Sequence, residues 1–381
     1  MSVGGSPVQF IAGAVRNVAS RSGMDAAWAS TGYGTPALVM VPGWFSHLVH
    51  DWQDDPGWFH RRLAERCRLI RYDRPGNGLA DRDGFDFSLD GQLDVLDRVV
   101  LASGERRVAL FACGTGAPAA IAYAHAHPDR VAHLVLFDAA PKLLAAPDYP
   151  EGAAPLLFEA LEQLIRADWG VAALTLSHLF GQGTTADSLD RLATYWCSAA
   201  SARAAAAYLH EAASIDVRPL LHSLATPTLV LHRRDDGFIG VNNAYRLVEA
   251  IKGSELRLLD GGAHLPWHGN RAAVVRLVTD FVGRTPLPLT VRELEIMRAV
   301  AAGLSNREIG HQLSITAHTV ARHLSNVFLK LNVSSRVAAL AELRAADVES
   351  WSGDDEDAVP RAATPRSGGG RRPGSIDLQV S

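Results

Sequence analysis

The side chains with the clearest chemical potential lie near the end of the 381-residue chain. Between residues 317 and 331, apolar residues recur at helical spacing and predict one buried face. These residues are Val320, Leu324, Val327 and Leu331. The other face carries small and polar side chains, including Ala321 and Arg322. Arginine can donate two hydrogen bonds to a guanine edge, and alanine can touch a thymine methyl group, so this face predicts DNA contact.

Two shorter helices are predicted just before this one, because each begins with a capping pattern. Thr290 stands three residues before Glu293, and Ser305 three residues before Glu308. In such a pair the hydroxyl accepts from the backbone of the first turn and the carboxylate accepts in return. Gly303 lies where the first helix should end in a left-handed turn. Three helices of about 12, 8 and 16 residues joined by short turns indicate a helix-turn-helix domain.

Three motifs in this segment are specific in combination. They read Gly-Leu-Ser-Asn-Arg-Glu-Ile from Gly303, Thr-Val-Ala-Arg-His from Thr319 and Lys-Leu-Asn-Val-Ser-Ser-Arg from Lys330. Together they resemble the LuxR-type DNA-binding domain across its full length. The resemblance implies that Ala321, Arg322 and Ser325 read bases. It also implies a set of DNA-backbone or scaffold contacts, namely Thr319, His323, Asn326, Lys330 and Arg336.

The same resemblance implies partners. Promoter DNA is the expected target, a homodimer pairing through the helix from about Ser335 is the expected assembly, and RNA polymerase is a further candidate partner. A three-helix module that binds only protein is the alternative for this segment.

Short apolar runs alternate with helical stretches through the first 285 residues. Such runs are typical of strands buried on both faces of a parallel sheet. The predicted strands are Leu38–Val41, Arg68–Tyr72, Val108–Phe111, Val131–Phe137, Thr228–His232 and Glu255–Leu259. The stretch from about 141 to 221 breaks the alternation, since it is rich in Ala and Leu and largely helical. We expect it to cover one end of the sheet.

Five segments carry a second resemblance. They read VMVPGWFSHL, RLIRYDRPGNGLADR, VALFACGTGAPAAIAYAHAHPDRVAHLVLFD, LVLHRRDDGFIG and LDGGAHLPWHG. In this order and spacing they resemble the α/β-hydrolase family over about residues 8–282. The resemblance implies an α/β fold, a parallel sheet with a helical cap at about 141–221. The small all-α LuxR-type domain follows it.

The chemistry of that family needs a serine in Gly-x-Ser-x-Gly, then an acid, then a histidine. Here the turn reads Ala112-Cys113-Gly114-Thr115-Gly116, so Gly114 stands at the nucleophile position. The acid falls at Asp236, with Asp235 as a rival, and the histidine at His264. Without a hydroxyl at Gly114 we expect no catalytic residue and no ester hydrolysis by the usual route.

We expect a ligand pocket in place of an active site. The backbone N–H groups of Trp44 and Thr115 could still bind a carbonyl or carboxylate. A pocket under the cap is the default site of this scaffold. Its predicted lining residues are Trp44, Phe45, Gly114, Thr115, Trp169, Trp196, Phe238 and His264. No metal or cofactor is predicted.

Joined, the two parts predict a one-component transcription regulator that senses a small molecule. An active or residual hydrolase tethered to DNA is one alternative. A regulator whose first domain only dimerises, without any ligand, is another.

The composition limits the functions and the organisation that the chain can have. Lys and Arg number 37 against 41 Asp and Glu, a net charge of −4, so any basic surface is local. Three cysteines far apart argue against a disulfide scaffold or a zinc cluster and fit a reducing cytoplasm. The uncharged run from Val108 to Pro128 is predicted as a strand, a turn and a helix, with no membrane contact. We predict domains at 1–285 and 286–348 and a disordered tail at 349–381.

Overall fold

The computed structural model describes residues 13–284, 289–331 and 333–345. Eight strands form a single sheet in the order β1-β2-β4-β3-β5-β6-β7-β8. The strands are β1 (Arg16–Ala19), β2 (Asp25–Thr31), β3 (Ala37–Val41), β4 (Leu69–Asp73), β5 (Val108–Cys113), β6 (Val131–Phe137), β7 (Thr228–Arg233) and β8 (Glu255–Leu259). From β4 to β8 all neighbours are parallel, while β1 and β2 are antiparallel additions at one edge.

Helices cover both faces of this sheet. One face packs mainly against α2 (Leu89–Ala102), α3 (Ala117–Ala126) and α8 (Asn242–Ala250), and the other against α1 (Asp54–Ala64) and α9 (Arg271–Val282). Because strands β5 and β6 are buried on both faces, their side chains are apolar almost throughout.

Four helices between β6 and β7 form the cap over the carboxyl end of the sheet. They are α4 (Pro155–Ala167), α5 (Trp169–Phe180), α6 (Ala186–Ala199) and α7 (Ala202–Ser214). Their inward faces form a separate apolar cluster with Trp44 and Phe45 of the loop after β3. The predicted α/β sheet with a helical insertion is therefore confirmed.

The six predicted strands are all present within two residues of their expected ends, but the sequence prediction missed β1 and β2. The segment of β2 reads Asp-Ala-Ala-Trp-Ala-Ser-Thr, and alanine has little strand preference. Strand β1 reads Arg-Asn-Val-Ala and has no apolar run, and three of its four residues are exposed. Both strands form because the sheet edge offers them pairing partners.

The run from Val108 to Pro128 forms β5, one tight turn and α3, as the sequence predicts. Across the described residues, we find no helix with the length and apolar character needed to cross a bilayer.

A second, purely helical unit follows residue 288. Its helices are α10 (Val291–Ala301), α11 (Asn306–Gln312), α12 (Ala317–Leu331) and α13 (Arg336–Ala345). Both predicted capping boxes form, at Thr290 with Glu293 and at Ser305 with Glu308. Gly303 has a φ of +82°, the left-handed value expected at the end of the first helix. The predicted tail at 349–381 lies outside the described residues.

Three histidines of the sheet domain are buried, namely His60, His133 and His268. Burial is the main cause that lowers the pKa of His60 to about 3 and those of His133 and His268 to about 4. The unfolded chain binds a proton at each near the ordinary pKa of 6.5. Between pH 6.5 and 4 the unfolded state therefore holds more protons at these sites, so their contribution to stability falls as the pH falls.

We predict that His133→Phe flattens this acid destabilisation. The variant takes up one proton fewer on unfolding. The slope of its unfolding free energy against pH therefore changes by at most about 1.4 kcal/mol per pH unit between pH 6.5 and 4. Denaturant unfolding, followed by tryptophan fluorescence, measures this slope. The probe suits the sheet domain because seven of the eight tryptophans lie between Trp28 and Trp267. His210→Phe is the matched control, since the His210 side chain is 71% exposed. An unchanged slope in His133→Phe would contradict the prediction.

Candidate functional site

The turn between β5 and α3 occupies the centre of the sheet's carboxyl edge. Gly114 begins it with a φ of +52°, a left-handed conformation that glycine adopts at little cost. The loop after β3 packs directly on this turn: a Cβ on Gly43 would stand 2.3 Å from the carbonyl oxygen of Cys113. Glycine at 43 therefore permits the two backbones to approach.

His264 follows β8 and faces this turn. Its Nδ1 lies 2.7 Å from Oδ2 of Asp236, and both residues are buried. Since a carboxylate only accepts, Nδ1 donates the hydrogen of this bond. The structure brings Asp236, not the exposed rival Asp235, against the histidine.

The carboxylate of Asp236 is held in its charged form. Burial acts to raise its pKa, but His264 and the backbone N–H of Phe238 favour the anion and lower the pKa below its ordinary value. Oδ1 accepts from the N–H of Phe238 at 2.8 Å and of Ile239 at 3.3 Å. The acid–base pair that the sequence predicts is therefore assembled and oriented.

The imidazole occupies the space where a side chain at position 114 would begin. A Cβ built on Gly114 would stand 2.5 Å from Nε2 of His264, closer than Cβ contacts in proteins. Alanine or serine at 114 would therefore require the ring to move. Glycine here satisfies two constraints at once, the backbone φ and the position of the ring.

Two aromatic side chains cover this pair, Phe180 of the cap helix α5 and Phe238 of the loop after β7. The ring of Phe180 lies 4.8 Å from that of His264, and Phe238 lies 5.0 Å from it. The main-chain N–H of His264 donates to the carbonyl oxygen of Phe180 at 2.8 Å. His264 is only 2% exposed, so a substrate would reach it only after the cap moves.

Tyr208 of α7 is a residue that the sequence prediction missed. Its hydroxyl donates to the carbonyl oxygen of Gly43 at 2.6 Å and lies 2.9 Å from Oγ1 of Thr115. Its ring packs edge-on against Trp44 at 5.4 Å. The cap thus contacts both residues predicted to supply backbone donors. The available signal was a single large residue inside the run Ala-Ala-Ala-Ala-Tyr.

The predicted ligand residues divide into two groups. Trp44, Phe45 and Trp196 line a cavity of about 80 Å³ that is bordered by the loop after β3. The other five are not among its lining residues, namely Gly114, Thr115, Trp169, Phe238 and His264.

This cavity also exposes polar residues that the prediction missed. Asp51, Arg71 and Tyr195 come from three separate segments, and Arg71 lies on the apolar strand β4. A charged residue between Ile70 and Tyr72 was the available signal.

Three buried side chains lie close enough together to hold a metal ion. Ligand atoms of Asp138, His232 and Asp236 lie within 4.8 Å of one another. However, Asp236 is already engaged by His264, and burial raises the pKa of Asp138 well above its usual range. Because a metal binds the ionised carboxylate, both features disfavour a metal ion at this cluster.

The helical unit presents the predicted DNA face to solvent. Val320, Leu324 and Val327 are buried as the spacing predicts, while Arg322 and Ser325 are exposed. Thr319 belongs to the helix cap, since its N–H donates to Oγ1 of Thr316 at 3.0 Å. Ala321 and His323 are half-buried beside this face, and Asn326 is exposed.

Two of the predicted contact residues hold the helical unit together. Nζ of Lys330 donates to the buried carboxylate of Glu293 at 2.6 Å, tying α12 to the first capping box. Arg336 donates to the carbonyl oxygen of Leu304 at 3.4 Å and to the side chain of Asn306. The structure thus gives both side chains scaffold contacts.

We predict that Gly114→Ala destabilises the chain for two separable reasons. The left-handed φ costs about 1–2 kcal/mol, and displacement of the His264 ring adds to it. In a His264→Ala background only the first cost should remain. Denaturant unfolding of the four proteins of this double-mutant cycle measures the difference.

Gly104→Ala is the matched control for the backbone cost. Gly104 has a φ of +74° and no atom within 4 Å of an added Cβ. Equal losses for Gly114→Ala in both backgrounds would show that the imidazole does not occupy this space.

Comparison with known proteins agrees with this division of the chain. Residues 36–269 match the alpha/beta hydrolase fold family, and residues 287–342 match the family of bacterial regulatory proteins, luxR family. The pimeloyl-[acyl-carrier protein] methyl ester esterase of Neisseria meningitidis is 27% identical over 245 residues, which cover 62% of this chain and 92% of the esterase.

For the helical unit, the nitrate/nitrite response regulator protein homolog of Haemophilus influenzae is 53% identical over 51 residues. These cover 13% of this chain and 24% of the regulator, so the chain spans about a quarter of that relative's length.

Solved structures show the same fold for the larger part. An esterase from Exiguobacterium antarcticum superimposes with a TM-score of 0.65 at 20% identity, covering 70% of this chain and 98% of the esterase. The chain therefore belongs to the alpha/beta hydrolase fold family and carries a luxR-type helix-turn-helix domain at its C-terminal end.

Proposed function

We propose that this protein is a one-component transcription regulator. Its hydrolase-like domain binds a small molecule without processing it, and its helix-turn-helix domain binds promoter DNA as a homodimer. The observation that carries the proposal is Gly114 at the turn after β5, with Nε2 of His264 in the space of a nucleophile side chain. A general base without a hydroxyl to activate cannot start acyl transfer by the usual route.

The proposed domain limits are 1–285 and 286–348. The family matches at 36–269 and 287–342 fall inside these limits and support them. RNA polymerase is a proposed partner at the promoter.

Neighbouring side chains are poor substitutes for the missing nucleophile. Burial raises the pKa of the Cys113 thiol well above its usual range, which disfavours the reactive thiolate. The hydroxyl of Thr115 is engaged by the carbonyl oxygen of Gly43 and by Tyr208. Both groups also lie one residue away from the position that the histidine faces.

We predict no ester turnover that depends on His264. The unsubstituted full-length chain and the His264→Ala variant should hydrolyse p-nitrophenyl acetate at the same rate, because the imidazole has no alkoxide to generate. Initial rates by absorbance measure it, with the Neisseria meningitidis esterase as the positive control. A rate that His264→Ala abolishes would favour the alternative, a hydrolase tethered to DNA.

We predict that Arg322 confers base preference. Arg322→Ala should weaken binding to the specific site by about 1–3 kcal/mol, and Arg322→Lys should lose most of this preference although it keeps the charge. Genome-wide mapping of bound sites identifies the specific DNA sequence. Fluorescence anisotropy then compares the affinity for the specific duplex with the affinity for a scrambled duplex.

Arg276→Ala is the control for loss of one positive charge. Arg276 lies on α9 of the hydrolase-like domain, with a side chain that is 64% exposed. If Arg322→Ala binds the specific duplex as tightly as Arg276→Ala does, Arg322 has no base contact.

A further inference from the structure

The cavity beside the loop after β3 has two buried hydrogen-bond donors among its lining residues. Its volume is about 80 Å³, and neither Gly114 nor His264 belongs to its lining. Trp44 of this loop and Trp267 of the segment between β8 and α9 both line it. The indole N–H of each is buried and has no hydrogen-bond partner among the residues that the structure describes. The cavity therefore lacks two acceptors that a bound molecule could supply.

Burial makes these unpaired donors a cost to the folded chain. Trp44 is only 7% exposed, so bulk water does not serve its N–H. Its ring packs against Phe45 at 4.6 Å, and the ring of Trp267 lies 6.4 Å from that of Phe59. An occupant with an acceptor atom would compensate the lost hydration of the indole N–H groups, whereas a purely apolar occupant would leave both unpaired. The cavity thus favours a hydrogen-bond acceptor.

The charged residues of the lining already neutralise each other. The carboxylate of Asp51 lies 2.9 Å from the guanidinium of Arg71 and accepts from the hydroxyl of Tyr195 at 2.5 Å. Burial lowers the pKa of His60 to about 3, so this imidazole is uncharged in neutral solution. Because the acid and the guanidinium of the lining are paired with each other, an ionised ligand would lose its water without compensation. The occupant should therefore be uncharged.

Acceptor groups of the lining are already occupied as well. The carbonyl oxygen of Gly43 accepts from the hydroxyl of Tyr208 at 2.6 Å and from that of Thr115. The two carboxylate oxygens of Asp51 each accept from a separate partner, Oδ2 from Arg71 and Oδ1 from the cap. A ligand that only accepts hydrogen bonds therefore matches this lining better than a ligand that must also donate.

The size of the cavity limits the occupant to a few atoms. Because an apolar cavity of about 150 Å³ holds benzene, a volume of about 80 Å³ accommodates roughly three or four non-hydrogen atoms. A carbonyl oxygen has two acceptor lone pairs and no hydrogen to donate. A carbonyl group can therefore serve two N–H donors within this size.

We propose that this cavity binds a small uncharged carbonyl compound, whose oxygen accepts from the indole N–H groups of Trp44 and Trp267. This inference rests on the proposed sensing function and names its ligand class. The lining also includes Tyr195 and Trp196 of the cap helix α6, while the segment of Trp267 leads through α9 toward the helical unit. An occupant would therefore contact both the cap and the chain segment that continues to the DNA-binding domain.

Nuclear magnetic resonance of the indole N–H groups reports such binding directly. In the full-length chain labelled with nitrogen-15 at tryptophan, each of the eight tryptophans gives one indole signal. Acetone is the probe, 2-methylpropene has the same planar shape without the oxygen, and acetate is the charged counterpart. The spectra are recorded above the pKa of Asp51, which burial raises to about 6, so that its ion pair with Arg71 is intact.

We predict that acetone shifts the indole signals of Trp44 and Trp267 saturably to higher proton frequency, and that 2-methylpropene and acetate do not. Trp44→Phe and Trp267→Phe should each weaken acetone binding about three- to tenfold, because one hydrogen bond is lost and an aromatic ring is kept. Trp58→Phe, on α1 and outside the cavity lining, is the matched control.

The probe comparison on the unsubstituted chain does not depend on these variants, since backbone assignment identifies the same signals if a variant does not fold. Equal or tighter binding of 2-methylpropene or acetate overturns the proposal. Indole signals of Trp44 and Trp267 that acetone does not move also overturn it, because water alone would then serve these donors.

DNA affinity separates this inference from the proposed function. If acetone shifts both indole signals and also changes the affinity for mapped DNA sites, both are supported. If it shifts the indole signals and leaves that affinity unchanged, the carbonyl site is supported and the sensing function fails. If DNA affinity responds to another metabolite while acetone moves neither indole signal, sensing is supported and the carbonyl site is overturned.

Discussion

The left-handed backbone at Gly114 is the constraint on which the site depends. The turn after β5 must reverse the chain within a few residues so that α3 can pack on the sheet. A side chain there would meet Nε2 of His264 at 2.5 Å. With glycine the turn is relaxed, the imidazole of His264 is held by Asp236, and the main-chain N–H of His264 is held by the carbonyl oxygen of Phe180.

This arrangement links the cap to the sheet domain. The carbonyl oxygen of Phe180 fixes His264 from α5, and the hydroxyl of Tyr208 reaches the loop after β3 from α7. Tyr195 of α6 bonds to Asp51, so a third cap helix is tied to the same region. A change in cap position would therefore alter the His264 pair and the charged residues around the cavity together.

Buried charged residues have different partners in the hydrolase-like domain and in the helical unit. In the hydrolase-like domain the buried carboxylate of Asp51 pairs with the buried guanidinium of Arg71, which limits the cost of their lost hydration. In the helical unit the buried Glu293 serves both the cap of α10 and Lys330 of α12. Within the part of the chain that the structure describes, Arg322 on the exposed face of α12 makes no ion pair or hydrogen bond, which leaves its guanidinium available to DNA.

Local signals in the sequence determined much of this protein. Apolar runs predicted the six inner strands, hydroxyl and glutamate pairs predicted the helix starts of the C-terminal unit, and the Gly114 turn and its two partners followed from a family resemblance. The strand and helix predictions succeed because apolar runs and capping pairs depend on neighbours along the chain. Only the tertiary structure decided the rest: that β1 and β2 join the sheet, that Asp236 rather than Asp235 meets His264, and that Asp51, Arg71 and Tyr195 surround one cavity. Those contacts join residues up to 144 positions apart, and no local pattern encodes which distant side chain will fill the remaining space.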